Sequence, residues 1–282
     1  MKLYPNMNFF LDFFVLITGI GAASGLSYDN GKLFIVSDNS NYLYEYHIES
    51  KSLNRQLLLD MDGRNEQVEK KIKLDIEAIA QYDGVYHLFP SGSESNRITR
   101  FVVEPTDFTS VRKTSLKDLY TRLRETFDIS EEDFNIEGAV FHQDTLLLFN
   151  RGNGPNEING IIKVFEKESD ISPTFTPIKL PYINGETASF TDATIANGKI
   201  FFLAAAEGGM SNYHDGEISG SQVGIIDLAN LTLEKAITIS ADIKFEGITL
   251  YHESVSEYIF LLCDDPDDDG NESKIHQLRI TK

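Results

Sequence analysis

Five segments of the chain share one grammar, and that repetition limits what the chain can fold into more than any other feature. Each opens on a small or acidic residue beside a turn-former and runs on as a short apolar strand. A tight turn, a second apolar strand and a polar loop follow. The units are SGLSYDNGKLFIVSDNSNYLYEYHI, EAIAQYDGVYHLFPSGSESNRITRFVV, EGAVFHQDTLLLFNRGNGPNEINGIIKVF, DATIANGKIFFLAAAEGG with GSQVGIIDL, and EGITLYHESVSEYIFLLCDDPDDDGNESKIHQLRI. Their leading residues, Ser24, Glu77, Glu137, Asp192 and Glu246, are separated by 53, 60, 55 and 54 positions. Even spacing at this length, with several strands per unit, predicts the blades of a β-propeller. A β-sandwich is the rival, and it would not explain the spacing.

The turns support hairpins. Asn30-Gly31, Asp83-Gly84 and Asn197-Gly198 are pairs that tolerate the positive φ angles of two-residue loops. The strands that follow, KLFIVSD, TLLLFN and KIFFLAAA, are nearly continuous apolar runs, as strands buried on both faces are. Five units use up the 282 residues, so the expected fold is an all-β, five-bladed propeller in one domain, 1–282. The fifth unit lacks a clear fourth strand, whereas FFLDFFVLI precedes the first. The N-terminal strand is therefore expected to complete the last blade and close the ring, which also protects sheet edges. The alternative for this segment is a secretory leader, but its positive region is weak and Asp12 breaks its apolar run. One helix is expected over Ser115–Phe127, between units two and three, with Ser115 and Asp118 in capping-box spacing. Leu116, Leu119, Tyr120, Leu123 and Phe127 share its apolar face, which is expected to pack over a sheet.

In a propeller the first strand of every blade lines the central axis. Glu77, Glu137, Asp192 and Glu246 are then expected to converge there, with Ser24 as the fifth member. Taken singly, each acid reads as a strand cap. Four carboxylates at one place repel one another, and must hold a cation, a basic side chain or a proton. Hard oxygen ligands suit a divalent metal, Ca²⁺ first and Mg²⁺ or Mn²⁺ next. Arg97 and Arg151 stand where second strands end, and Lys73 just ahead of Glu77; each meets the carboxylates or clamps an anionic ligand. The fifth unit adds Asp264 and Asp265 to the candidate metal ligands. Asp265, Asp267 and Asp269 followed by Gly270 resemble the opening of a calcium loop, although His276 stands where its bidentate acid belongs.

Other chemistries find no support. A net charge of −19 argues against nucleic acid and anionic membranes as partners. Cys263 is the one cysteine, so neither an intrachain disulfide nor a thiolate cluster can form, which fits a cytoplasmic protein, with a periplasmic or secreted one as the alternative. No H-x-x-x-H pair, nucleophile elbow or P-loop is present. His142 and His252 follow first strands at the turn and are expected at the surface.

Assembled, the motifs ASGLSYDNGKLFIVSDNSNYLYEY, KLDIEAIA, SGSESNR, NIEGAVF, NRGNG, FTDATIANGKI, GSQVG, FEGITL and CDDPDD resemble an uncharacterised family of bacterial β-propellers over nearly the full length. More distantly the first strands are similar to esterase-like phytase, SdiA-regulated and lactonase-type propellers. The lactonase resemblance implies a metal on the axis. The chain departs from lactonases in having no clear equivalent of their ligand set, and from alkaline phytases in lacking a dense basic cleft. The expected function is metal-dependent hydrolysis of a small ester, lactone or phosphoester by a monomer. Glu77, Glu137, Arg97 and Arg151 would carry the reaction, and Glu77, Glu137, Asp192, Glu246, Asp264 and Asp265 the metal. A non-catalytic propeller binding a ligand or protein is the alternative.

Overall fold

Asn-Gly and Asp-Gly pairs close three of the five inner hairpins, as their conformational freedom allows. Asn30 and Gly31 have φ of 47° and 82°, Asp83 and Gly84 49° and 78°, and Asn197 and Gly198 47° and 71°. The computed structural model describes residues 8–105, 110–165, 167, 171–208, 217–265 and 270–282. Within them the strands form five antiparallel four-stranded sheets. Strand β1 (Phe9–Thr18) comes first in the chain. Blade 1 is β2 (Ala23–Asp29), β3 (Lys32–Ser37), β4 (Tyr42–His47) and β5 (Ser52–Leu57). Blade 2 is β6 (Ile76–Tyr82), β7 (Val85–Pro90), β8 (Thr99–Val103) and β9 (Val111–Ser115). Helix α1 (Lys117–Phe127) leads into blade 3, which is β10 (Ile136–His142), β11 (Thr145–Asn150), β12 (Gly160–Phe165) and β13 (Thr174–Pro177). Blade 4 is β14 (Ser189–Ala196), β15 (Lys199–Gly208), β16 (Glu217–Asp227) and β17 (Leu233–Ser240). Blade 5 is β18 (Phe245–Glu253), β19 (Glu257–Asp264), β20 (Glu272–Thr281) and, on its outer edge, β1.

The inner strands β2, β6, β10, β14 and β18 touch one another in cyclic order, and β18 returns to β2. The fold is thus a five-bladed propeller closed by its N-terminal strand. β1 pairs with β20 from Phe9↔Ile280 to Thr18↔Glu272, with one bulge between Phe13 and Val15.

Each pair of neighbouring blades encloses its own apolar core. Phe34, Val36, Tyr86 and Phe101 fill the space between blades 1 and 2. Phe89, Leu148 and Ile162 lie between blades 2 and 3, Phe149, Phe190 and Phe202 between 3 and 4, and Phe201, Phe245 and Phe260 between 4 and 5. Ile17, Ile35, Tyr44 and Ile275 close the seam between blades 5 and 1. The continuous apolar runs of β3, β11 and β15 follow from this, because a middle strand buries both faces.

The helix starts at Lys117, two residues later than expected. Ser115 ends β9, and Leu116 holds the cap position without a side-chain cap. Leu116, Tyr120 and Leu123 are buried in the core between blades 2 and 3, with Leu119 and Phe127 packed against it. The Tyr120 hydroxyl donates to the Pro90 carbonyl at 2.9 Å.

Closure by β1 has a direct test. Removing residues 1–18 exposes the edge of β20 and strips Phe9, Leu11 and Ile17 from two cores. The truncated chain is expected to lose its single cooperative transition in urea unfolding followed by circular dichroism. A midpoint equal to that of the full chain would refute closure.

Candidate functional site

A β-bulge opens every inner strand. In blade 1 Ala23 pairs with Ser37 and Gly25 with Val36, leaving Ser24 as the extra residue. The same two-against-one step leaves Glu77, Glu137, Thr191 and Glu246 extra in the other blades. A bulge twists the strand and re-aims its side chain. The structural equivalent of the three glutamates in blade 4 is therefore Thr191, and the expected place of Asp192 in the repeat is off by one. Aligning the buried residue ahead of each bulge (Ile76, Ile136, Phe190, Phe245) gives Thr191, whereas the acid itself misleads.

Asp192 instead stands where the other blades have Gly25, Ala78, Gly138 and Gly247. These positions are small because neighbouring inner strands nearly touch. A Cβ on Gly25 would lie 2.9 Å from the Glu77 carbonyl, and one on Gly247 2.9 Å from Gly25 Cα. Asp192 accepts 2.9 Å from the amide of Ile248 and so ties blade 4 to blade 5. The two hydroxyl members also join blades. Ser24 donates to the Ile76 carbonyl at 2.6 Å and Thr191 to the Phe245 carbonyl at 2.7 Å.

Two of the three bulge glutamates, Glu137 and Glu246, pair with basic residues brought by the loops entering the inner strands and by the ends of second strands. Arg151 donates to Glu137 at 3.4 Å and to Glu207 at 2.9 Å. Asn135 donates to Glu137 at 2.7 Å. Lys244 contacts both Glu207 and Glu246 at 2.9 Å. Lys73 lies 2.6 Å from Asp75 and in contact with Asp38, while Arg97 is 2.9 Å from the other oxygen of Asp75. Glu77 is 9% exposed and has no hydrogen-bond or ion-pair partner among the described residues. Oxygens of Asp38, Asp75 and Glu77 all lie within 4.8 Å of one another. One oxygen of Glu246 is buried without a partner.

The electrostatics follow from crowding. Seven acids (Asp38, Asp75, Glu77, Glu137, Asp192, Glu207, Glu246) face four bases (Lys73, Arg97, Arg151, Lys244), leaving three negative charges uncompensated if all ionise. Burial, then Glu137, Asp75 and Asp38, pushes the Glu77 carboxyl well up. Burial raises Glu137 to about 7, Arg151 opposing it and Glu246 adding to it. Burial likewise raises Glu246 against Lys244, and Asp192 against its backbone amides. Glu207 goes the other way: against its burial, Arg151 and Lys244 hold it at about 2. Asp75 is held low by Lys73 and Arg97, again against its burial.

Asp264, at the end of β19, accepts from the Lys274 amide at 3.0 Å, with His276 3.7 Å away. The Asp265 amide donates to the Lys244 carbonyl at 3.1 Å. Asp267 and Asp269 of the calcium-loop reading lie outside the described residues. His142 and His252 are exposed, as expected. The members that sequence reasoning missed are Asp38, Asp75, Glu207 and Lys244. Asp75 and Lys244 stand two residues ahead of Glu77 and Glu246, as Asn135 does of Glu137, and that spacing is the signal that could have found them. The opposite end of the axis opens as a cavity of about 270 Å³ walled by Tyr28, Gln81, Phe141, Ile195 and Leu250, with none of the candidate residues.

Residues 19–280 match the family of unknown function DUF6929, and the chain belongs to that family. No curated protein matches it in sequence. Among solved structures it is similar to the Myxococcus xanthus glutaminyl cyclase, at 11% identity and TM-score 0.54, covering 96% of this chain and 97% of that one. It is also similar to the PQQ-bound aldose sugar dehydrogenase of Streptomyces coelicolor, at 11% identity and TM-score 0.55, covering 98% and 99%. An exo-1,5-α-L-arabinanase from a bovine ruminal metagenomic library gives 8% identity and TM-score 0.51, covering 93% and 94%. At such identities the likeness is one of fold. These matches support the propeller family of unknown function and do not carry the narrower resemblance to lactonase-type, phytase-like or SdiA-regulated propellers. No helix among the described residues is long and apolar enough to cross a membrane.

Two predictions follow from this geometry. Glu137 binds its proton more tightly folded than unfolded, between the ordinary value of 4.5 and about 7. Its contribution to stability is therefore full below that window and lost as pH rises through it. Glu137→Gln is expected to flatten the decline in melting temperature between pH 5 and 7.5; an unchanged slope would contradict the burial argument. Thr191→Val leaves the Phe245 carbonyl without its donor and is expected to cost about 1–3 kcal/mol in urea unfolding.

Proposed function

We propose that the axial face is the site of a divalent-cation-dependent hydrolase acting on a small ester, lactone or phosphoester. The observation that carries this reading is Glu77: a carboxyl about nine-tenths buried, without a partner among the described residues, beside an Arg151-held Glu137. A buried carboxylate with no partner is costly unless a cation or proton neutralises it. Proximity of enzyme propellers in fold is consistent with an enzyme and says nothing of the substrate.

The roles divide by environment. Glu137, raised to about 7 and oriented by Arg151 and Asn135, is placed to take a proton from water near neutral pH. Glu77 is the carboxylate left free for Ca²⁺, or for Mg²⁺ or Mn²⁺. Glu246 is committed to Lys244 and Asp192 to backbone amides, which makes them weaker ligands than the repeat suggested. Arg97 and Arg151 are engaged with carboxylates, so we assign them to positioning rather than to clamping the substrate. When bound, the cation would polarise the scissile carbonyl or phosphoryl oxygen.

A second reading, a ligand-binding propeller without catalysis, is favoured by one observation: Asp75, Glu137, Glu207 and Glu246 already have basic partners. One experiment separates the two. Chelator-stripped protein is titrated with Ca²⁺, Mg²⁺ and Mn²⁺ while melting is followed, and esters, lactones and phosphoesters are screened with and without chelator. The hydrolase reading expects a rise in melting temperature and cation-dependent turnover of one substrate class. It also expects a loss of about 10²-fold or more in Glu137→Gln, whose fold is retained. A rise in melting temperature without turnover of any class supports the binding propeller. Neither response would overturn the cation site altogether.

A further inference from the structure

Lys73 sets its ammonium against two of three clustered carboxylates, those of Asp38 and Asp75. Its side chain rises from the loop between β5 and β6, two residues ahead of Asp75, whose φ of 57° turns the carboxylate back toward it. The ammonium touches Asp38 and lies 2.6 Å from Asp75. Around it, carboxylate capacity remains unused. Oδ1 of Asp38 is buried without a partner, and Glu77 has none among the described residues. The three acids offer oxygens within 4.8 Å of one another. Oxygens sharing one Ca²⁺ at roughly 2.4 Å stand no more than about 4.8 Å apart, whereas Mg²⁺ demands a tighter shell.

We propose that Asp38, Asp75 and Glu77 form a Ca²⁺ seat whose built-in occupant is the Lys73 ammonium, so that Lys73 gates entry of the ion. The proposal rests on the cation-dependent reading of the axial face and names the seat and its regulation. Arg97 stays on the far oxygen of Asp75, 2.9 Å away, so displacing Lys73 leaves that carboxylate anchored and one oxygen free. Two ion pairs hold Lys73, whose side chain is 11% exposed, so an incoming ion has to displace it; once in water an ammonium on a four-carbon stem is strongly hydrated. Asp38, at 23% side-chain exposure, gives the ion a route in from the same side. One ammonium exchanged for one divalent ion also reduces the excess negative charge on the axis.

The test uses the full-length, chelator-stripped protein and Ca²⁺ alone as probe. Affinity is read by competition with a chromophoric chelator, and melting temperature in parallel. Lys73→Met and Lys73→Gln are each expected to bind Ca²⁺ at least ten-fold tighter than the unaltered chain, and adding Glu77→Gln to either is expected to reverse the gain. Should Lys73→Met unfold without calcium, refolding on addition of Ca²⁺ but not Na⁺ supports the seat. Affinity no tighter than that of the unaltered chain in both Lys73 variants overturns the proposal. Ca²⁺-dependent turnover with no tightening in the variants sinks the gate alone. Tightening in the variants, with no turnover by the unaltered chain at any Ca²⁺ concentration, supports the gate and sinks the hydrolase reading.

Discussion

Five inner strands share one axis, and the narrowness of that axis governs the molecule. Where the strands approach most closely, Gly25, Gly138 and Gly247 leave no room for a side chain. One residue before them a bulge throws a side chain out of register. Whatever stands at the bulge is delivered to the same small region from every blade. Hydroxyls there can bond across to the next blade's backbone, as Ser24 and Thr191 do. Carboxylates cannot, so Glu77, Glu137 and Glu246 require positive charge from elsewhere. Loops and second-strand ends supply it to Glu137 and Glu246 through Arg151 and Lys244, while Lys73 is taken by Asp38 and Asp75 and leaves Glu77 without an ion pair among the described residues.

The acids therefore behave as one coupled group. Glu207, with two bases, is held at about 2, while Glu137, sharing Arg151 with it, is raised to about 7. Glu77, with no ion-pair partner among the described residues, is pushed well up toward the proton-bound form by its burial and then by Glu137, Asp75 and Asp38, with Lys73 opposing. A range of proton affinities within one small site is what acid–base chemistry needs, and here it arises from unequal sharing of a few bases among more acids.

Much of this was legible in the sequence. The inner hairpins follow from turn pairs present in three of the units, ring closure from the strand that precedes the first unit, and blade count from a period and pattern that repeat five times. Glu77, Glu137 and Glu246 were legible for the same reason. Asp192 misled because sequence similarity favoured matching acid to acid, whereas the sheet register matches Thr191 to the glutamates and Asp192 to their glycines. The helix start was misplaced because Ser115 has capping chemistry but is claimed by the edge pairing of β9, from Thr99↔Ser115 onward. Lys244 stands two residues ahead of Glu246, as Asp75 does of Glu77 and Asn135 of Glu137, and Asp38 follows its second strand as Arg151 does, each joined by the same backbone bond to the residue two ahead of the bulge. The positions repeat but the residue types do not, so a pattern of acids alone passes over them.

What the network does for stability bears on why it exists. Taking charged groups out of water costs several kcal/mol each, and a buried ion network often stabilises no better than well-packed apolar residues of similar volume. The other half of the axis carries none of these charges: Ile79, Val140 and Ile248 line it within the same strands, beside Ser27, Gln81 and Thr194. Blade closure does not require the charges either, since five apolar cores and the β1–β20 pairing already hold the ring. A chain needing only a plug would extend the apolar lining by one residue per blade. Three glutamates at bulges, with Glu77 unpaired among the described residues and more acids than bases around it, instead make the axial face a place where positive charge is scarce.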